Sequence, residues 1–206
     1  MPEPGISLAI HSTIVTITAL SSPNRKPPMP LTYFVHGTTT DNELDLATGW
    51  APGELSDVGK EQAEELGRQV GEVHFDVVFC SDLKRAIDSA ELAFGGRFKI
   101  VQDRRLREAD YGDFTEKPTG DFKNNLPRYI SSPFPKGESY EDVETRIADF
   151  IDFVKNNYAD QSIAIVAHQA PQLAFEVLTN NKTWAQAIEE DWRHTKSWQP
   201  GWVYNI

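Results

Sequence analysis

Two histidines, His36 and His168, each follow a short apolar run and precede a change of chain character. Thr32-Tyr33-Phe34-Val35 leads into His36-Gly37-Thr38-Thr39-Thr40-Asp41-Asn42-Glu43, and Ser162 to Ala167 leads into His168. Alone, either histidine reads as an ordinary turn residue. An apolar run that stops at such a residue is a buried strand feeding a loop, and open α/β sheets bind ligands beyond the carboxyl ends of their strands. If both strands belong to one parallel sheet, the two imidazoles share an edge and therefore a site. Zinc fits that pair poorly, because the chain has no H-E-x-x-H spacing and only one cysteine, Cys80. A serine nucleophile lacks its G-x-S-x-G elbow, and neither a P-loop nor a G-x-G-x-x-G fingerprint occurs. What remains is a histidine that itself attacks an electrophile, with a second histidine beside it.

The elements that must position these residues alternate between strand and helix. With 206 residues, 39% of them hydrophobic, the chain is long enough for one full core. Its net charge of −11 disfavours nucleic acid or an anionic membrane as partner, so any phosphate site must be a local cluster of cations. The single cysteine rules out an internal disulfide and points to a reducing cytoplasm. Residues 1–28 read as an N-terminal extension: Ser7 to Leu20 is uncharged and β-branched, without the basic start of a signal peptide, and Ser21 to Pro28 reads as a linker. The domain then runs over 29–206, with Met29, the only internal methionine, as the preferred natural start.

Within that domain, Ser56 caps a helix with Ala63, Leu66 and Val70 on one face. Phe75 to Cys80 is a strand covered on both sides. Leu83, Ile87, Ala90 and Phe94 mark a second helix, ended by Gly95-Gly96, and Phe98 to Val101 is a short strand near an edge. Between Asp103 and Lys136 the periodicity breaks down around several prolines and glycines, leaving a short helix near Phe122 to Ile130 in a lid or substrate-facing insertion. Ser139-Tyr140-Glu141-Asp142 resembles a capping box that opens a long helix with Val143, Ile147, Phe150, Ile151, Val154 and Tyr158 on its buried stripe. The helix after His168 takes Pro171 in its first turn and buries Leu173, Ala174, Val177 and Leu178. Trp184, Trp192, Trp198 and Trp202 read as packing residues in the tail.

Six short segments, in this order, resemble the motifs of the histidine phosphatase superfamily, whose members have the phosphoglycerate mutase-like fold. Val35-His36-Gly37-Thr38-Thr39 with Asn42 resembles R-H-G-x-T/S-x-x-N, and Leu55-Ser56-Asp57-Val58-Gly59 with Gln62-Ala63 resembles L-S/T-x-x-G-x-x-Q-A. Ser81-Asp82-Leu83-Lys84-Arg85-Ala86 is similar to S-D/P-L-x-R-A, and Leu106-Arg107-Glu108 with Tyr111-Gly112 to L-x-E-x-x-x-G. Gly137-Glu138-Ser139 matches G-E-S, and Val166-Ala167-His168 matches V-x-H. The resemblance implies a three-layer α/β sandwich with a mainly parallel central sheet, and a phosphomonoesterase that needs no metal or organic cofactor. It implies His36 as the phosphate acceptor, forming a phosphohistidine that water hydrolyses. Arg85, Asn42 and His168 would hold the transferring phosphoryl group, Glu108 would serve as proton donor and then base, and Thr39 could give a further hydrogen bond. The partner would be a small phosphorylated molecule, with no oligomeric state implied.

Two positions depart from the motifs. Val35 stands where the family carries its first arginine, a phosphate ligand, and Gln169-Ala170 follow His168 where glycine is usual. Removing one preorganised charged donor typically costs about 10²–10³ in rate. Lys84, Arg107, Lys117 and Arg193 are candidates for a replacement cation, and Gln169 either donates its amide to the ligand or faces away. The different-class alternative is a catalytically weak or inactive phospholigand-binding or interaction module. A mutase fits less well, because the family's mutases tend to be longer chains that shelter the phosphoenzyme.

Overall fold

Five strands, β1 (Pro30–Val35), β2 (Val77–Cys80), β3 (Ile100–Gln102), β4 (Ile163–Ala167) and β5 (Trp202–Asn205), form one sheet in the order β3-β2-β4-β1-β5. The computed structural model describes residues 29–195 and 201–206, so the expectations for the 1–28 extension and for Trp198 lie outside the described residues. All strand pairs are parallel except β1 with β5, where Leu31 faces Tyr204. Side chains alternate between the two faces of the sheet, as a period of two requires. Leu31, Tyr33, Phe79, Ile163 and Ile165 join one apolar layer, while Phe34, Val78, Cys80, Ala164 and Val166 join the other. Because both faces are covered, β2 and β4 carry the unbroken apolar runs visible in the sequence.

Two helices cover the second of these faces. α1 (Thr40–Glu43) is a single turn after β1, and α2 (Asp57–Val70) starts where the Ser56 side chain accepts from the Gly59 N–H, then buries Ala63 and Leu66. α3 (Lys84–Phe94) adds Ala90, Ala93 and Phe94 to the same layer. On the opposite face, after α4 (Gly120–Lys123), the long α5 (Tyr140–Asn157) opens with the expected capping box, in which Ser139 and Asp142 exchange bonds. Its Val143, Ile147, Phe150 and Val154 are fully buried, each contributing about 1.5–3 kcal/mol of apolar burial. α6 (Gln169–Asn180) buries Leu173, Ala174 and Phe175, and Leu178 turns outward at 36% exposure, contrary to the predicted stripe. α7 (Trp184–Glu189) and α8 (Trp192–Thr195) complete the described helices.

The segment between β3 and α5 is packed rather than loose. Tyr129 stacks on Phe134 at 4.0 Å, and Phe134 meets Tyr111 and Phe122 edge-on. The helix predicted near 122–130 is instead α4 followed by a 3-10 turn at Leu126–Tyr129. Pro127, without an N–H, cannot extend a helix begun upstream. Strand β5 departs from the sequence expectation of tryptophan packing alone, since its four residues carry no strand periodicity of their own; it is held by pairing with β1, and Trp202 stacks on Trp192 at 5.3 Å.

Candidate active site

Strand register brings the two histidines together. Val35 on β1 lies opposite Ala167 on β4, so His36 and His168 follow side by side at the carboxyl edge, and the His36 N–H donates to Ala167 O at 3.0 Å. Their ring centroids are 5.0 Å apart. His36 Nδ1 lies 2.7 Å from Gly37 O. A carbonyl can only accept, so Nδ1 carries the proton and Nε2 keeps its lone pair. Burial pushes the His36 pKa down to about 3, with the positive charge of Arg85 acting in the same direction, so the imidazole is neutral at ordinary pH.

His168 is fully buried, and Tyr33 clamps its backbone: the phenol donates to His168 O at 2.7 Å and accepts from His168 N–H at 3.1 Å. Neither ring nitrogen of His168 has a partner among the described residues, and burial followed by the charge of Arg85 holds its pKa well below the usual histidine value. Buried polar atoms are almost always bonded, so such an orphaned ring at a cavity wall marks a place for a polar ligand. The hydroxyl of Thr48 on the same wall is also unpartnered. Nothing in the spacing around Thr48 signals it in the sequence.

Arg85 is 2% exposed, and among the described residues neither Asp82 nor Asp88 pairs with it. Asp82 is taken in two-pronged fashion by Arg107, with both bonds at 2.7 Å, and Asp88 by Lys84. The Arg85 guanidinium donates instead to Gly49 O at 2.8 Å and Ala51 O at 3.1 Å. Burial pulls its pKa below the ordinary arginine value. A buried cation braced by carbonyls at a cavity wall is prepared for an anion.

Glu108 is fixed from several sides. Its Oε1 accepts from Ala109 N–H and Ala170 N–H, both at 2.9 Å, and its Oε2 from Gln169 N–H at 3.2 Å. Its carbonyl takes the Trp50 indole N–H at 2.7 Å and Arg146 Nη2 at 3.0 Å. The first turn of α6 therefore holds both His168, as its N-cap, and the Glu108 carboxylate. Gly37 and Gly59 let α2 approach the nucleophile loop: a Cβ on Gly37 would lie 2.3 Å from Gly59 O.

His36, Thr48, Arg85, Glu108 and His168 line one cavity of about 630 Å³, together with Val35, Asn42 and Gln169. Asn42 Oδ1 accepts from Thr39 N–H at 3.0 Å, which leaves its amide NH₂ for the cavity. Thr39 is fully buried and is not part of the wall; its hydroxyl caps α1 by accepting from Asn42 N–H. Gln169 reaches the wall, but its side-chain NH₂ donates to Asp191. Of the four replacement cations considered, Lys84 and Arg107 are engaged elsewhere and Lys117 is off the wall, whereas Arg193 on α8 lines it. Lys123 lines it too, paired with Asp45 at 2.9 Å.

A histidine with a free lone pair, a second neutral histidine, a buried arginine and a pinned carboxylate thus meet on one cavity wall at the carboxyl edge of the sheet. The sequence pattern of the histidine phosphatase superfamily (branch 1) matches residues 33–198, and the chain belongs to that family. Among curated relatives, fructose-2,6-bisphosphatase TIGAR of Xenopus tropicalis is 35% identical over 147 residues, covering 65% of this chain and 52% of the relative. The chain thus spans about half the length of that protein. Phosphoserine phosphatase 1 of Hydrogenobacter thermophilus is 26% identical over 148 residues, covering 68% of this chain and 70% of the relative. Among solved structures, the alpha-ribazole phosphatase from Shigella flexneri superposes with a TM-score of 0.69 at 27% identity, over 78% of this chain and 84% of that one.

Proposed function

We propose that the chain is a phosphomonoesterase that works through a phosphohistidine on His36. The observation that carries this reading is the orientation of His36, whose Nδ1–H is committed to Gly37 O so that Nε2 is the free nucleophile. Nε2 attacks phosphorus in line with the ester oxygen; the N–P bond forms as the P–O bond breaks, and Glu108 supplies the proton to the leaving oxygen. Glu108 then takes a proton from water, whose oxygen attacks phosphorus, and inorganic phosphate departs as the N–P bond breaks. Arg85, Asn42 and His168 surround the phosphoryl oxygens as charge builds. The substrate is a small phosphorylated molecule, and the single cysteine, Cys80, free and buried, fits a reducing, cytoplasmic setting.

A second reading, a phospholigand-binding module, draws on Val35, an apolar wall residue beside the nucleophile. Phosphate release from a panel of sugar phosphates, phosphoglycerates, phosphoserine and nucleotides separates the two. Turnover that His36→Ala abolishes, with acid-labile, base-stable phosphate trapped on the wild-type protein by rapid quench, is the expected result. Full turnover in His36→Ala would refute the mechanism, and ligand binding without release from any panel member would favour the module.

A further inference from the structure

The wall beside His36 is apolar at Val35, yet a transferring phosphoryl group carries more negative charge than Arg85 alone can match. The described cations on the cavity wall are Arg85, Lys123 and Arg193. Lys123 is spent on the exposed Asp45, which also accepts from Thr119 at 2.6 Å. Arg193 is different. Its Nη1 donates to the buried Asp191 at 2.9 Å and its Nη2 to Gln172 Oε1 at 3.2 Å, and the guanidinium lies 4.5 Å over the Trp192 ring. Two of its five N–H groups are used in this way among the described residues, leaving three to point elsewhere.

Those attachments also fix where the guanidinium stands. Gln172 is one turn beyond His168 on α6, its N–H donating to His168 O at 3.3 Å, so Arg193 sits over the turn that presents His168. Asp191, which holds Arg193 through Oδ1, is itself held through Oδ2 by the side chain of Gln169. The charge of Arg193 is felt at both His36 and His168. We propose that Arg193, braced by the Gln169–Asp191 pair, is the second phosphoryl-anchoring arginine of this site and supplies from α8 the charge that position 35 does not. The two departures from the family motifs are then one device: Gln169 replaces glycine where a side chain can reach Asp191, and Asp191 aims the arginine that Val35 leaves room for. Trp192 lines the same wall and stacks on Trp202, tying α8 to the sheet edge.

This inference rests on the phosphatase reading of the site, and its test has a readout that does not need turnover. Binding of inorganic phosphate by titration calorimetry, and kcat and KM on the best panel substrate, are measured for wild type, Arg193→Ala, Arg193→Gln, Arg193→Lys and Val35→Arg/Arg193→Ala. Arg193→Ala is expected to weaken phosphate binding at least tenfold and to lower kcat/KM by about 10²-fold, with kcat falling as well as KM rising. Arg193→Lys should recover part of both, and the double variant should exceed Arg193→Ala by tenfold or more. If Arg193→Ala does not fold, Arg193→Gln, which can keep the bonds to Asp191 and Gln172 without the charge, carries the same expectation. Phosphate binding within threefold of wild type in the uncharged variant overturns the inference, even where the wild type is a working phosphatase. Arginine-dependent phosphate binding in a wild type that hydrolyses nothing would uphold it and overturn the hydrolase reading instead.

Discussion

Replacing Gly59 by alanine sets two physical effects against each other, and the structure decides which wins. Gly59 is the third residue of α2 and has ordinary helical backbone, so propensity alone favours alanine by about 1 kcal/mol. The added Cβ, however, would stand 1.9 Å from Thr38 O and 2.9 Å from Thr38 N, where ordinary contact begins at 3.4 Å. Neither atom is the movable end of a side chain. Thr38 O already accepts from Ser56 N–H at 3.0 Å and from the Ser56 hydroxyl at 3.3 Å, so relieving the clash strains the helix cap as well. Overpacking of this kind costs about 1–3 kcal/mol, which outweighs the propensity gain. Because Thr38 is two residues from His36, the loop that moves is the one holding the nucleophile, and a displacement near 1 Å costs about 10²-fold in rate. Gly59→Ala should therefore lose up to about 2 kcal/mol in urea denaturation while kcat/KM on the best substrate falls roughly a hundredfold. A variant with a raised melting temperature and activity within threefold of wild type would refute the argument that α2 sets the position of His36.

Two more outcomes follow from the buried partners of the histidines. Tyr33→Phe removes the phenol that serves His168 N–H and His168 O, leaving the buried His168 N–H unmatched while His168 O keeps the Gln172 N–H; a loss of about 1–3 kcal/mol with a drop in kcat is expected, and unchanged stability by urea denaturation would count against the clamp. In the unfolded chain a histidine titrates near 6.5, whereas folded His36 does so at about 3, so between those values the unfolded state binds more protons. The stability that neutral His36 preserves is complete above about pH 6.5 and is lost as pH falls from there toward about 3. The depressed carboxylates, Asp45 and Asp57 among them, begin to contribute only lower, so between about pH 6.5 and 4.5 the slope belongs mainly to His36 and His168. Urea midpoints of His36→Asn should show a shallower slope there, and an identical slope would mean that His36 is not buried in its neutral form.

What the sequence reveals of this fold is whatever depends on local pattern. The five-residue apolar run of β4, the capping box at Ser139 and the serine cap of α2 are written in adjacent residues and are found where expected. The candidate residues His36, His168, Arg85 and Glu108 stand out in the sequence because each follows or opens such an element and keeps its motif spacing; all four line the cavity. The features that were not legible depend on contacts across the chain. β5 exists through pairing with β1, Thr48 reaches the cavity through the loop between α1 and α2, and Leu178, although one turn beyond the buried Ala174 and Phe175, is exposed in the last turn of α6. Asp191 is equally silent in sequence, the last of three consecutive acids, Glu189-Glu190-Asp191, yet it is 3% exposed and joins Gln169 to Arg193.

That link bears on how the site can tolerate Val35. The carbonyl-braced Arg85 and the orphaned His168 are costly arrangements: a buried cation without a carboxylate and a buried ring without partners each lower the stability of the empty protein. Such costs persist where function uses them and are otherwise removed by small substitutions. Here both are kept, together with three backbone bonds devoted to holding one carboxylate, Glu108, against the same turn. The coupling through Gln169, Asp191 and Arg193 explains why the apolar residue at position 35 does not leave this arrangement short of charge. It also places part of the burden of phosphate recognition on α8, whose Trp192, Arg193 and His194 line the cavity together with His36. The same guanidinium that steadies the transferring group would then also favour, through its charge, ligands that carry a phosphate over uncharged ones.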